Sequence, residues 1–200
     1  MTDPIKSLIE KIQDKNLVPS VNLDRPFYIQ PEDSIKYRSF RIILICGALN
    51  TKNGLSKEVI ACIDFLLRNT SYQEKFIIEY FKGNKNLMSK LRKYRKTENI
   101  DPDFNIVQYK NVPWDLRFND MLFFLHSNQL IDCKGDKSNT RIFISDKGKS
   151  YFEQIKEVFQ DEVGFLSVFG KSVCESKLEF IITKVIPETF WRENEKFTYQ

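Results

Sequence analysis

The sequence predicts a mainly α fold with a small β-ribbon, an α+β class, and three observations predict it. Phe is abundant at 17 residues while Gly and Pro are scarce at 7 each. That balance favours helices around an aromatic-rich core over a turn-dense β-sandwich. Apolar residues recur at helical spacing in most segments of the chain. One segment breaks that rhythm: "CKGDKSNTRIFIS" alternates, turns at Gly135–Asp136, alternates again, and runs straight into a helix.

The elements follow in order. Residues 4–15 carry Ile5, Leu8, Ile9 and Ile12 on one side of a short amphipathic helix. Residues 16–34, with Pro19, Pro26 and Pro31, read as an extended arm whose Phe27 and Tyr28 are candidate partner anchors. Residues 34–50 are apolar nearly all round, the mark of a central helix. Ser56 sits where an N-cap belongs, and Val59, Ile60, Ile63, Leu66 and Leu67 form the stripe of the helix it opens. A third helix is expected over 72–81 and a basic one over 82–96, followed by a loop at "ENIDPDFN". Pro113 is read as the start of a helix through 112–131, its buried stripe formed by Trp114, Phe118, Met121, Leu122 and Leu125. Ser145 or Asp146 caps the helix after the ribbon, and residues 177–186 are a last apolar segment before an aromatic tail.

A chain of 200 residues with 42% hydrophobic and 29% charged residues is globular and long enough to fold without disulfides or metal. Cys46, Cys62, Cys133 and Cys174 are far apart and form no CxxC pair. Cys46 and Cys62 lie in apolar helical runs and read as reduced core thiols. With one histidine in the chain, a zinc site is not expected. The first residues hold no apolar stretch of the secretory kind. The longest apolar run, residues 42–49, is far short of the roughly 20 residues that span a bilayer. The expectation is a cytoplasmic protein with no membrane partner.

Charge is uneven. Residues 82–96 hold seven basic side chains (Lys82, Lys85, Lys90, Arg92, Lys93, Arg95 and Lys96) and no acid. Removing them from a net charge of +4 leaves the remainder at −3. With Lys134, Lys137 and Arg141 of the ribbon, they are the candidate contacts to nucleic-acid phosphates. Base reading is less well served. The expected outward face of the preceding helix carries Asp115, Arg117, Asn119, Asp120, Phe123 and Ser127, and two acids and a phenylalanine suit a major groove poorly.

No catalytic chemistry emerges. GxxxxGK[ST], GxSxG, HExxH and GxGxxG are all absent. His126 lies near the end of an apolar helix, with no Ser or Cys beside it in sequence to activate. Asp64 falls within an apolar stripe and must be paired if buried. Arg41 and Arg68, the latter at i+4, are its candidate partners in a structural ion pair. No cofactor is expected. Phe190, Trp191, Phe197 and Tyr199 of the tail are candidate partner anchors.

A leucine-ending helix, a ribbon, and a Ser/Thr-x-x-Gly lead into the next helix recur in winged-helix proteins, and residues 112–160 resemble that pattern. The expected organisation is an N-terminal helix and arm (1–34), a helical winged-helix body with additional helices (35–161, wing at about 130–146), and a C-terminal helix with aromatic tail (162–200).

Residues 40–69, "FRIILICGALN" and "GLSKEVIACIDFLLRN", resemble a narrower group, the middle components of three-component ABC (Lamassu-type) bacterial defence systems. The resemblance rests on Arg41, Ile42, Leu44, Gly54, Leu55, Ser56, Ile63, Asp64, Phe65, Leu66, Leu67 and Arg68, and Thr70 departs from a frequent Pro. It implies a non-enzymatic subunit that joins an SMC/Rad50-like ATPase to an effector protein, with sequence-independent contact to double-stranded DNA as an option. The alternative is a stand-alone winged-helix transcription regulator. A divergent nuclease or toxin is a distant third, since no acid cluster suited to magnesium is apparent.

Overall fold

Helix α1 (Ile35–Leu49) buries five consecutive residues, Ile42 to Cys46, so apolar side chains point from it in every direction. A helix with that pattern belongs in the middle, and α1 packs against helices before and after the ribbon and against one of the ribbon's strands. The computed structural model describes residues 34–49, 52–94, 106–136, 139–170, 173–188 and 191. The helix expected at 4–15 and the arm at 16–34, up to residue 33, lie outside these.

After α1 the chain forms a two-residue strand β1 (Leu55–Ser56) and turns into α2 (Lys57–Arg68). The Ser56 hydroxyl caps α2 by accepting from the Val59 amide at 3.2 Å. Glu58 in its first turn and Arg68 in its last suit the helix dipole. Every residue of α2 from Val59 to Arg68 is buried. Asn69 ends α2, its side-chain amide donating to the Phe65 carbonyl at 3.0 Å, and α3 (Thr70–Tyr80) begins at once. The start is two residues earlier than the apolar pattern suggests. Helix α4 (Lys85–Arg92) is capped by Asn84, which accepts from the Leu87 amide at 3.0 Å.

The expected helix over 112–131 is corrected in its first third. Val112–Asp115 is a strand, β3, paired antiparallel with β2 (Ile106–Tyr109). Lys110 and Asn111 join them with φ of 48° and 64°. Two successive positive φ values are the signature of a type I′ hairpin turn. All four residues of β3 are buried, so no alternation marked it as a strand. Pro113 contributes no amide, which a two-stranded ladder tolerates.

Helix α5 (Phe118–Ser127) follows, with Phe118, Met121, Leu122 and Leu125 buried. It ends in a Schellman motif: the Leu130 amide donates to Leu125, the Gln129 amide to His126, and Gln129 takes φ 60°. Strands β4 (Ile131–Lys134) and β5 (Arg141–Ile144) then form the ribbon. β1 pairs antiparallel with β5, Leu55 opposite Ile142, giving a three-stranded sheet of order β1-β5-β4. β1 was not anticipated, because two residues carry no periodicity.

Helix α6 (Asp146–Ile155) shows why a Ser-x-x-Gly lead is needed. The Ser145 hydroxyl accepts from the Gly148 amide at 2.9 Å. A Cβ on Gly148 would lie 2.0 Å from the Leu130 carbonyl oxygen. Helix α7 (Gln160–Gly170), absent from the sequence reading, buries Phe165, Leu166 and Phe169. Its Phe169 ring meets Phe76, Tyr80 and Phe81 with centroids 5.6 to 5.9 Å apart. Helix α8 (Glu175–Val185) packs on α2, α3 and β3. The molecule is thus mainly helical with a small antiparallel sheet and a separate hairpin. The buried apolar cluster runs from Ile42 to Trp191, so the C-terminal helices share the core of the preceding body.

Two substitutions test the joint between α5 and α6. Gln129→Gly relieves a left-handed residue at the helix end and should stabilise by about 1 kcal/mol, read as a higher midpoint in thermal or urea unfolding. Gly148→Ala forces backbone apart and should cost about 3 kcal/mol in the same assay.

Candidate nucleic-acid and protein interfaces

The chemistry-bearing residues divide into a buried charge network and several exposed surfaces. The network starts with Asp64, placed by α2 inside the core. Its Oδ1 accepts from Arg41 Nε of α1 at 2.7 Å, and its Oδ2 lies 3.7 Å from Arg68 Nη1. Arg68 also reaches Asp115 of β3 at 2.9 Å, and Arg38 of α1 reaches the same carboxylate at 3.0 Å. The Arg117 amide adds a 2.8 Å bond to Asp115. Three guanidiniums and two carboxylates therefore link α1, α2 and β3. Burial lowers the pKa of Arg38, partly offset by Asp115. Both candidate partners of Asp64 are present at once. The outward orientation expected for Asp115 is corrected: it is 5% exposed and holds two arginines. The missed signal is "YKNVPWD", where Lys-Asn between two β-prone runs marks a hairpin and turns Asp115 inward.

The basic helix is less free than its sequence. Lys82, Lys85, Lys90, Arg92 and Lys93 are exposed. Arg92 is bound to Glu74 of α3 at 2.8 Å. Buried Leu91 anchors α4, which packs on α3 and α7. Arg95 and Lys96 lie outside the described residues. The ribbon rests elsewhere, on β1, α1 and α5. Arg141 pairs with Glu175 of α8, and the Lys134 ammonium sits 5.1 Å over the Phe143 ring. Asp132 and Asp136 are exposed on the same ribbon. Lys137 lies outside the described residues. The two predicted basic groups thus stand on separate supports, and the ribbon's described cations have partners.

The exposed face of α5 carries Asn119, Asp120, Phe123 and Ser127, with Phe123 73% exposed. His126 is also exposed, its Nδ1 3.2 Å from the Ile131 carbonyl oxygen. Of the tail aromatics, Trp191 is 9% exposed and belongs to the chain's own core, which corrects its reading as a partner anchor. Phe27, Tyr28, Phe190, Phe197 and Tyr199 lie outside the described residues.

A polar cleft of about 280 Å³ lies between the α2 N-terminus, the hairpin and the ribbon tip, and is lined by Lys57, Lys110, Trp114 and Asn139. Glu58 lines it too and binds Lys110 at 2.9 Å. Burial works to raise the Glu58 pKa, but the Lys110 hydrogen bond and nearby lysines outweigh it and hold it low. An anion there would meet a carboxylate. Cys46 and Cys62 are buried, and burial pushes the Cys46 thiol up to about 12, which makes it a poor nucleophile. Cys133 and Cys174 are exposed, and all four thiols are free. Among the described residues no group of three or more His, Cys, Asp or Glu side chains is placed to hold a metal ion. No helix among them is long and apolar enough to cross a membrane.

Removing one carboxylate from the network strands buried arginine charge. Asp115→Ala should therefore destabilise by about 3 to 5 kcal/mol, measured by urea unfolding, whereas Asp120→Ala on the exposed face of α5 should change stability by less than about 0.5 kcal/mol. In comparisons with known proteins, no family model, curated protein or solved structure matches the chain.

Proposed function

We propose that this chain is a winged-helix accessory subunit of a bacterial defence complex, bridging an SMC/Rad50-like ABC ATPase and an effector protein without performing chemistry itself. The observation that carries the reading is the surface of α5. In a winged-helix arrangement α5 is the helix placed to read a DNA groove, and its exposed face centres on Phe123 beside Asn119 and Asp120. That face suits a protein partner better than base edges.

Two further features support it. The element order α1, β1, α2, α5, β4, β5 with a β1-β5-β4 sheet matches the order of parts in a winged helix, with α3, α4 and the β2-β3 hairpin interposed. The charged residues that carry the family resemblance, Arg41, Asp64 and Arg68, belong to one buried network. They are a structural signature of the subunit and no catalytic set. Contact with DNA is confined to phosphates, through the lysines around α4.

The test is co-expression of the tagged chain with a coiled-coil ATPase encoded beside it. Stable co-purification is expected. The purified chain alone should bind duplex DNA without sequence preference, with Kd of about 10⁻⁴ to 10⁻⁶ M, steeply weakened by salt. Reversing Lys82, Lys85, Lys90 and Lys93 to Glu should abolish that binding. Nanomolar binding of a palindromic site by a homodimer would replace the proposal with a stand-alone regulator, and turnover of any substrate by the chain alone would end it.

A further inference from the structure

A groove on the side of α1 remote from the charge network is built for an occupant. We propose that this groove, between α1, α5 and α6, docks an acidic amphipathic helix of another protein. It is open to solvent and encloses about 280 Å³. Pockets for drug-sized molecules run from about 300 to 1,000 Å³, so this one fits two or three side chains.

Its surface is almost wholly apolar, and its aromatic members, Phe40, Phe124 and Tyr151, are only partly buried. Phe40 and Tyr151 sit 5.9 Å apart between ring centroids, so α1 and α6 present one continuous aromatic wall. Aromatic side chains that a partner can desolvate are favoured positions for interface anchors.

The form of the occupant follows from what lines the groove. The lining comes from three helices and the loop after α5, and no strand contributes. No sheet edge is therefore available to pair with an extended peptide. A helix satisfies its own backbone hydrogen bonds and presents apolar anchors along one face, which suits a groove walled by helices.

The charge of the occupant follows from the rim. Lys36 and Lys147 are the charged lining residues, both exposed, and no carboxylate lines the groove. Lys147 uses one donor on the Asn128 carbonyl at 2.9 Å, which keeps its ammonium at the rim with two donors to spare. Lys36 has no hydrogen bond or ion pair among the described residues. The neighbouring acids on α6 are already engaged, Asp146 by Lys149 and Glu153 by Lys156. Carboxylates flanking an apolar stripe would meet both rim lysines.

The inference stands apart from the accessory-subunit reading, since a regulator with this fold would carry the same groove. A displayed library of random helix-length peptides is selected on the full chain. Enriched sequences should be amphipathic with Asp or Glu beside the apolar stripe. Lys36→Glu combined with Lys147→Glu should weaken them about tenfold or more. Both positions are exposed, and circular dichroism checks that the variant is folded. The proposal is overturned by any of five results: no enrichment, enrichment without acidic bias, or unchanged affinity in the double variant; affinity gained on deleting residues 1–33, which would make the chain's own segment the occupant; or self-association lost in the double variant, which would make it a second copy.

Discussion

Arg68 sits between two buried carboxylates, and the arrangement of the body depends on it. Asp64 lies one helical turn before it, while Asp115 comes from a strand 47 residues further along. A guanidinium that desolvated needs both partners, and the carboxylates in turn need Arg41 and Arg38. The network ties α1, α2 and β3 in one relative position. Its directional charge-assisted bonds act together with the apolar packing of the same elements.

That constraint explains how the segment between α2 and α5 is accommodated. The described residues between 69 and 117 add two helices and a hairpin between elements that share a body. The hairpin returns the chain to α2 through β3, and Asp115 locks the return. α3 is held by the aromatic cluster with α7, where Phe76, Tyr80, Phe81 and Phe169 meet. Phe65 of α2, Phe76 of α3, Phe118 of α5, and Phe165 and Phe169 of α7 are fully buried, whereas Phe123 on α5 faces solvent.

Surface charge is governed by neighbours rather than by its own sequence. Arg141, alone on its strand a phosphate contact, belongs to Glu175 of α8. Arg92 belongs to Glu74, and Lys110 to Glu58. Each acid is distant in sequence from its base, which is why a window count overstates the free positive charge. Exposed pairs of this kind add little stability, but they lower the field that an approaching polyanion would meet.

The sequence by itself determined the mainly helical class, the central position of α1, the Ser56 cap, a cap at Ser145 or Asp146 that the structure resolves to Ser145, and the ribbon with its glycine-bearing lead into α6. These are local: each is set by periodicity or by a side chain reaching a backbone group a few residues away. It placed Asp64 correctly inside the stripe and offered both of its arginines. Only the tertiary structure decided the rest. β3 is buried on every side chain and so has no alternating pattern, β1 is two residues long, and α7 carries Gly164 and Gly170 where Tyr94 and Leu49 press against it. Asp115 meeting Arg68, and Trp191 turning inward, depend on partners far along the chain. No local rule encodes such partners, because the energy that selects them appears only when burial removes the alternative of water.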